Sequence, residues 1–171
     1  GRGWRAVGGG VGFPGFLPFV RTLAVRGNDV FVGGRFTEVG GVSVSNVARW
    51  DGVGWHAAGA GTDGAISVLR ALGPDLMAAG AFTTAGAGTA SGIARWNGQG
   101  WQALDGGVGG SEAVVTAMDA GPTGLWVAGT FTTAGGNPAT RSARWVPTNL
   151  PPVGRVVSPI SGTRLLVDSV G

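Results

Sequence analysis

The chain has 171 residues, enough for one domain with a hydrophobic core, and its 36 glycines follow no collagen-like period. It has no cysteine, which excludes disulfides and thiolate metal sites, and its net charge of +3 comes from scattered arginines, which argues against nucleic-acid binding. No apolar run approaches the roughly 18 residues that a membrane-spanning segment needs. With charged residues at only 12%, the composition favours a strand-rich protein in an extracellular setting.

The first predicted element is a strand over Gly3–Val7, which carries Trp4. It lies in residues 1–10 and matches the fourth strand of the repeats that follow. A long connection, Gly8–Phe19, leads from it to the first repeat. The chain opens on Gly1 with neither an initiator methionine nor a signal sequence, so we expect it to be an internal fragment of a longer protein.

Two phrases, Phe-Thr and Ala-Arg-Trp, then recur together three times. Phe82 follows Phe36 by 46 residues, and Phe131 follows Phe82 by 49. A period of this size, built of short apolar runs and glycine turns, predicts the four-stranded blades of an all-β propeller. The blade repeats are predicted at about 20–65, 66–114 and 115–146.

Each repeat resolves into short strands separated by turn residues. The predicted strands are Thr22–Val25, Val30–Phe36, Val47–Asp51 and Gly54–Ala58 in the first repeat, Val68–Ala71, Leu76–Phe82, Ile93–Asn97 and Gly100–Leu104 in the second, and Thr116–Asp119, Leu125–Phe131 and Ser142–Val146 in the third. Asp51-Gly52 and Asn97-Gly98 predict hairpins between the third and fourth strands, since these residues tolerate positive φ. The third repeat has no predicted fourth strand.

Nine residues recur at fixed repeat positions, and we interpret them as structural. They are Gly34, Gly80 and Gly129, Phe36, Phe82 and Phe131, and Trp50, Trp96 and Trp145. A glycine inside a strand costs about 0.5–1 kcal/mol relative to alanine, so its recurrence needs a reason. We expect another backbone or a bulky ring to approach it closely, with approach of a ligand as the alternative.

Three arginines recur in the third strands: Arg49, Arg95 and Arg144. Strand alternation places Arg49 on the face opposite Ala48 and Trp50. We expect these arginines to act as structural clamps, stacking on a tryptophan or bonding loop carbonyls. The alternative is that they bind a sugar carboxylate or a phosphate.

Three tryptophans recur in the fourth strands: Trp4, Trp55 and Trp101. A ring at that edge of a blade either covers the apolar contact between blades or stacks on the face of a sugar. Together with the three arginines they are the candidate binding residues.

Candidate catalytic chemistry is sparse. His56 is the only histidine, and the equivalent positions hold Gln102 and Arg5, so it is not a repeated feature. Asp63 and Asp105 lie in connections where calcium could bind, but no aspartate-rich loop specifies a site. We therefore predict no catalytic residue, no metal and no cofactor in this chain.

The repeat pattern stops after Val146. Residues 147–171 begin with several prolines, which break strand pairing. Two short strands are then predicted, Arg155–Pro159 and Arg164–Val167. A double proline followed by strands resembles the start of an immunoglobulin-like module, so this segment is interpreted as a linker and the start of a following β module.

About three repeats make an incomplete propeller, because closure usually takes about 4–8 blades. Missing upstream sequence is the simplest explanation. A second hypothesis is a homodimer, in which Gly3–Val7 of each chain completes the last blade of the other and two chains close a six-bladed ring.

The combined motif Val32-Gly33-Gly34-Arg35-Phe36-Thr37, Ala48-Arg49-Trp50-Asp51-Gly52 and Trp55 resembles the kelch-type propeller repeats of bacterial secreted proteins. These repeats are related to those of fungal cortical polarity-marker proteins. The resemblance covers roughly residues 1–146. It implies a β-propeller in a secreted or surface protein and carries over no catalytic residue.

The function expected on this basis is a non-catalytic extracellular scaffold that binds a protein or a glycan, or mediates adhesion. The alternative is the propeller part of a secreted carbohydrate-active enzyme whose catalytic residues lie mostly outside this fragment. A purely structural spacer is a third possibility.

Overall fold

The described part of the chain, residues 3–147 of a computed structural model, contains strands and turns and no helix. Its strands form three larger antiparallel sheets and several small ribbons. The all-β prediction is confirmed, but the sheets within residues 3–147 do not form a closed propeller. The strands predicted at 155–159 and 164–167 lie outside the described residues.

The three larger sheets follow one another along the chain, and in each of them strands that are consecutive within the sheet are paired. Sheet I contains β2 (Phe19–Arg26), β3 (Asp29–Arg35), β6 (Val47–Trp50) and β7 (Trp55–Ala57). Sheet II contains β8 (Ala65–Leu72), β9 (Asp75–Ala81), β12 (Ile93–Trp96) and β13 (Trp101–Ala103). Sheet III contains β15 (Val115–Gly121), β16 (Gly124–Gly129) and β19 (Ser142–Trp145).

The small ribbons were not predicted; each includes a two-strand hairpin between the second and third strands of a sheet, and two of them add a short strand, β1 or β14, that precedes its sheet. They are β1 (Val11–Gly12) with β4 (Glu38–Val39) and β5 (Val42–Ser43), β10 (Thr84–Ala85) with β11 (Gly88–Thr89), and β14 (Val108–Gly109) with β17 (Thr133–Ala134) and β18 (Asn137–Pro138). A strand of two residues is too short to show alternation of apolar and polar side chains, so the sequence carried no signal for it.

The two hairpins predicted at the third and fourth strands are formed, β6 with β7 and β12 with β13. Positive φ occurs only at the glycines, 98° at Gly52 and 103° at Gly98. Asp51 Oδ1 instead accepts the two backbone amides that close its turn, at 2.9 and 2.8 Å. Asn97 Oδ1 accepts the corresponding pair at 2.9 Å each. A side-chain cap of this kind fixes the turn without strain at the aspartate or asparagine.

The same β-bulge recurs in all three sheets, where one extra residue lies in the first strand. Gly34, Gly80 and Gly129 stand opposite it in the second strand. A Cβ atom on any of these glycines would overlap a carbonyl oxygen in the first strand or, in sheet III, directly before it. The carbonyls belong to Phe19, Ala65 and Val114. The close approach expected at this position is therefore made by the neighbouring strand, at its bulge.

The sheets stack in chain order. Strand β8 packs against β2 and β3, and β15 packs against β8 and β9. Leu69 in β8 and Met118 in β15 are 0% and 4% exposed, whereas Leu23 at the same repeat position in β2 is 62% exposed. The outward face of sheet I is thus uncovered among the described residues, while the equivalent faces of sheets II and III are buried.

The strand predicted at Gly3–Val7 is not formed in the single chain. Residues 3–10 contain no strand, and the side chain of Trp4 is fully exposed. A strand needs a partner with which to exchange backbone hydrogen bonds, and within the described residues this segment lies beside none. Its sequence matches a fourth strand, but none of the sheets within residues 3–147 includes it.

Substitution Gly80→Ala is expected to destabilise the protein by about 1–3 kcal/mol, because the added methyl group would overlap the backbone carbonyl of Ala65. Gly88→Ala is the matched control, since it places the methyl group on an exposed strand residue with open space around it. Chemical denaturation of the two variants measures the difference. Equal stabilities would show that the bulge tolerates a side chain.

Candidate functional site

Two of the repeated arginines form ion pairs inside their own sheet. Arg49 Nη1 lies 3.0 Å from Asp29 Oδ2, and Arg95 Nη1 lies 3.3 Å from Asp75 Oδ2. Each aspartate is the first residue of a second strand, directly after the turn, so the ion pair joins the second strand to the third. An ion pair between side chains this exposed contributes at most about 1 kcal/mol to the stability of the fold. These two arginines have the geometry of clamps.

Arg144 is placed differently. Sheet III has Gly124 where the other sheets have their aspartate, so the ion pair is missing. The Arg144 guanidinium instead lies over the ring of Trp126, 5.4 Å from its centroid. Trp126 is 52% exposed, because no sheet of the described chain covers this face of sheet III.

The fourth-strand tryptophans differ in how far they are buried. Trp101 is buried, packs on Trp96 with 5.4 Å between ring centroids, and donates its Nε1–H to Ala58 O at 2.7 Å. Trp55 packs on Trp50 in the same way at 5.3 Å, but its buried Nε1 has no hydrogen-bond partner. Trp101 therefore has no face free for a sugar. Trp4 alone of the three is fully exposed.

The remaining repeated residues are used for packing. Phe36, Phe82 and Phe131 are 0%, 4% and 0% exposed and belong to three separate apolar clusters between and within the sheets. Trp145 is half-buried and donates its Nε1–H to Asp105 Oδ2 at 2.5 Å. Asp105 is thus a hydrogen-bond acceptor for the neighbouring sheet.

A polar cleft opens between sheets I and II, where the structure brings two arginines together. Its volume is about 430 Å³. The residues lining it are Arg26, Arg49, Ala57, Ala58, Gly59, Trp96, Gly98 and Gln99. Arg49 was a candidate from the sequence, whereas Arg26 and Gln99 were missed because they do not recur. The sequence does mark Arg26 as a departure from the repeat, since the other repeats have Leu72 and Gly121 at the same position.

The positive charge of the cleft exceeds its negative charge. Arg49 is neutralised by Asp29, but Arg26 forms no ion pair among the described residues. Arg26 donates one hydrogen bond, from Nη1 to Pro74 O at 3.2 Å, and its guanidinium lies 5.2 Å from the centroid of the Phe31 ring. A guanidinium has five N–H donors, so most of those of Arg26 remain available to an anionic group.

Asp51 and His56 form an exposed pair on the hairpin of sheet I. His56 Nε2 lies 2.6 Å from Asp51 Oδ2. The backbone amides of Gly54 and Val53 hold the pKa of Asp51 well below its ordinary value, and His56 lowers it further. The carboxylate is therefore used to close the turn, and it stays ionised through the neutral range.

Asp63 has a similar role in the connection between sheets I and II. Burial alone would raise its pKa, but hydrogen bonds from the Thr83 hydroxyl and from the backbone amides of Thr84 and Thr83 outweigh this, and the pKa lies below its ordinary value. This fixes the start of the ribbon β10. Three or more potential metal ligands do not cluster anywhere in residues 3–147.

None of the described segments is a helix long and apolar enough to cross a membrane. Comparison of the chain with protein-family models, with curated proteins and with solved structures found no significant match in any of the three.

The turn at Asp51 is expected to make stability depend on acid. In the folded protein the pKa of Asp51 is depressed below its ordinary value of 3.8. The ionised carboxylate therefore stabilises the fold fully at pH values above 3.8, and this stabilisation is lost as the pH falls further. Asp51→Asn keeps the acceptor that closes the turn, as Asn97 shows in sheet II, but removes the titration. Denaturation midpoints between about pH 6 and pH 2 should fall less steeply for Asp51→Asn than for the unmodified chain.

The reverse exchange is the control. Asn97→Asp places a carboxylate on the equivalent two amides, so its denaturation midpoint should fall more steeply in acid than that of the unmodified chain. Parallel acid profiles for all three proteins would show that these turns do not hold the ionised carboxylate preferentially.

Proposed function

We propose that this chain is part of a non-catalytic extracellular β-propeller scaffold that binds a carboxylate-bearing ligand, either a glycan or a protein segment, in the cleft of Arg26 and Arg49. The observation that carries the proposal is the pair of guanidinium groups in one cleft with a single aspartate to neutralise them. Its volume of about 430 Å³ is that of a small-ligand site.

The distribution of repeated residues supports a binding role for the parts that do not repeat. The recurring glycines, phenylalanines and third-strand tryptophans are used in packing, and Arg95 is used in an ion pair. Arg26 is outside the repeat pattern and carries a partly buried charge with no ion-pair partner among the described residues. A binding site is a reason to keep such a charge beside Gln99 and the edge of Trp96.

The propeller and the surface location rest on the sequence motif. Its likeness to kelch-type repeats of bacterial secreted proteins is consistent with three successive sheets that stack in chain order. The low charge content fits an extracellular scaffold, and we propose the same setting for this chain.

Replacement of Arg26 tests the binding role. Acidic oligosaccharides, neutral oligosaccharides and acidic peptides are screened on an array, and the best ligand is titrated by calorimetry. Arg26→Leu, which installs the residue of position 72, should weaken binding of the acidic ligand about tenfold or more, since a hydrogen bond to a charged group contributes about 1.5–3 kcal/mol. The ligand should be recovered without any bond cleaved.

Arg21→Leu is the matched control, because it removes the same charge from an exposed position outside the cleft. It should change the affinity less than threefold, as expected for a screened long-range charge. The proposal fails if neutral and acidic ligands bind equally, or if the two arginine variants lose the same affinity.

A further inference from the structure

Sheet III has a cavity at the place where sheets I and II hold a fourth-strand tryptophan. The cavity has a volume of about 250 Å³ and lies beside β19. Its walls include Leu104, Asp105, Ala134, Gly135, Arg144 and Trp145. Trp55 and Trp101 each stand five residues after the tryptophan of the third strand, whereas position 150, five after Trp145, is leucine. Strand β19 pairs only with β16 among the described residues, so its other edge is open.

Comparison with the other two sheets shows what the cavity is shaped to hold. In sheet II a Cβ atom on Gly86 would lie 3.2 Å from the Trp101 Cβ, and in sheet I a Cβ on Gly40 would lie 2.7 Å from the Trp55 ring. Gly135 occupies the same repeat position, but a Cβ there would meet only the Asp105 carbonyl, at 3.1 Å. Sheet III thus has the glycine that faces the fourth-strand tryptophan in the other sheets, but no described residue places a tryptophan ring there.

The segment Gly3–Val7 has the sequence that fills this position elsewhere. Gly3-Trp4-Arg5-Ala6 corresponds to Gly54-Trp55-His56-Ala57 and to Gly100-Trp101-Gln102-Ala103. Trp4 is 105% exposed, the most exposed large apolar side chain of the described residues. Full exposure leaves the large apolar area of the indole in water, and burial against a partner would be favourable.

The chain directly after Trp4 is already docked as it is in a complete repeat. Gly10 O accepts the Gly40 amide at 2.9 Å, just as Gly61 O accepts the Gly86 amide at 2.8 Å. Gly8 packs on the Trp50 ring, as Gly59 packs on that of Trp96. Residues 3–7 therefore extend from sheet I toward the place of a preceding sheet.

A buried donor without a partner points to the same missing contact. Trp101 Nε1 donates to Ala58 O, which lies just after the fourth strand of the preceding sheet. The repeat assigns Val7 O as the matching acceptor for Trp55, but Trp55 Nε1 is buried and unbonded. Burial of an unpaired donor is costly, and pairing of residues 3–7 as a strand would bring Val7 into the position of Ala58.

Within residues 3–147, the two end faces of the stack are also uncovered, and each exposes a large apolar side chain. Leu23 on sheet I is 62% exposed, and Trp126 on sheet III is 52% exposed, although the equivalent Leu69 and Met77 in sheet II are both 0% exposed. Where two sheets stack, the face that carries Leu69 or its equivalent packs on the preceding sheet, and the face that carries Met77 or its equivalent packs on the next one. Sheet I of one chain is therefore suited to cover sheet III of another.

We infer that a second copy of this chain supplies the missing strand. Residues 3–7 of each copy add antiparallel to the open edge of β19 of the other, Trp4 fills the cavity, and its Nε1–H donates to Leu104 O, the counterpart of Ala58 O. The three larger sheets described in each of two copies make six, within the range of about 4–8 blades that close a propeller. A head-to-tail contact that closes in this way gives a ring of two. The inference goes beyond the proposed ligand site and does not depend on it.

The register of this strand addition places Arg5 opposite Arg144. Arg95 pairs with Gln102, and its Nη2 donates to Gln102 Oε1 at 2.6 Å, while Arg49 pairs with His56. Two arginines directly opposite one another repel, so the dimer has one unfavourable pair that can be relieved. Arg5→Gln would copy the favourable pair of sheet II.

Sedimentation velocity and light scattering of the full chain at micromolar concentration test the inference. The unmodified chain should have the mass of two copies. Trp4→Ala should raise the dissociation constant at least tenfold, and because Trp4 is exposed in the single chain, its circular dichroism should be unchanged. Arg5→Gln should lower the dissociation constant. Val53→Ala, which trims a side chain that is 90% exposed on the hairpin of sheet I, should leave it unchanged.

A monomeric mass for the unmodified chain would overturn the inference. So would a dimer that Trp4→Ala leaves intact, or one that Arg5→Gln weakens, because such a dimer would form through other surfaces or in another register.

Discussion

The indole of Trp101 links two neighbouring sheets, and the stacking of the sheets in chain order depends on contacts of this kind. The ring stacks on Trp96 of its own sheet, and its N–H bonds to Ala58 O at the end of sheet I. Residue 58 also begins the connection that leads into β8. Trp101 therefore both belongs to the strand that completes its own sheet and attaches that sheet to its neighbour. A sheet without its fourth strand lacks both a strand and a joint.

Apolar stacking outweighs the charged contacts in this arrangement. Full burial of a leucine- or methionine-sized side chain, such as Leu69 or Met118, contributes about 1.5–3 kcal/mol, whereas a half-exposed arginine–aspartate pair contributes about 0–1 kcal/mol. The repeated arginines thus refine the position of the strands, and the faces between sheets hold the stack together. This is why an uncovered end face at Leu23 or Trp126 matters more than a missing aspartate at Gly124.

The sequence predicted the elements that are periodic and missed those that depend on position in space. The strands of the three sheets and the hairpins at Asp51 and Asn97 followed from turn residues and apolar runs. The two-residue ribbons gave no periodic signal, and Gly3–Val7 showed a strand pattern without a partner strand to pair with. For the site, Arg49 was found because it recurs, while Arg26 enters the same cleft only when the two sheets pack.

Cross-linking between copies tests most directly whether the strand that completes a sheet comes from a second chain. The sequence has no cysteine, so the single variants Arg5→Cys and Arg144→Cys each introduce one thiol. The account predicts that a mixture of the two forms the mixed disulfide far faster than a mixture of Val53→Cys with Arg144→Cys, because positions 5 and 144 face each other across the added strand. Equal rates for the two mixtures would contradict it.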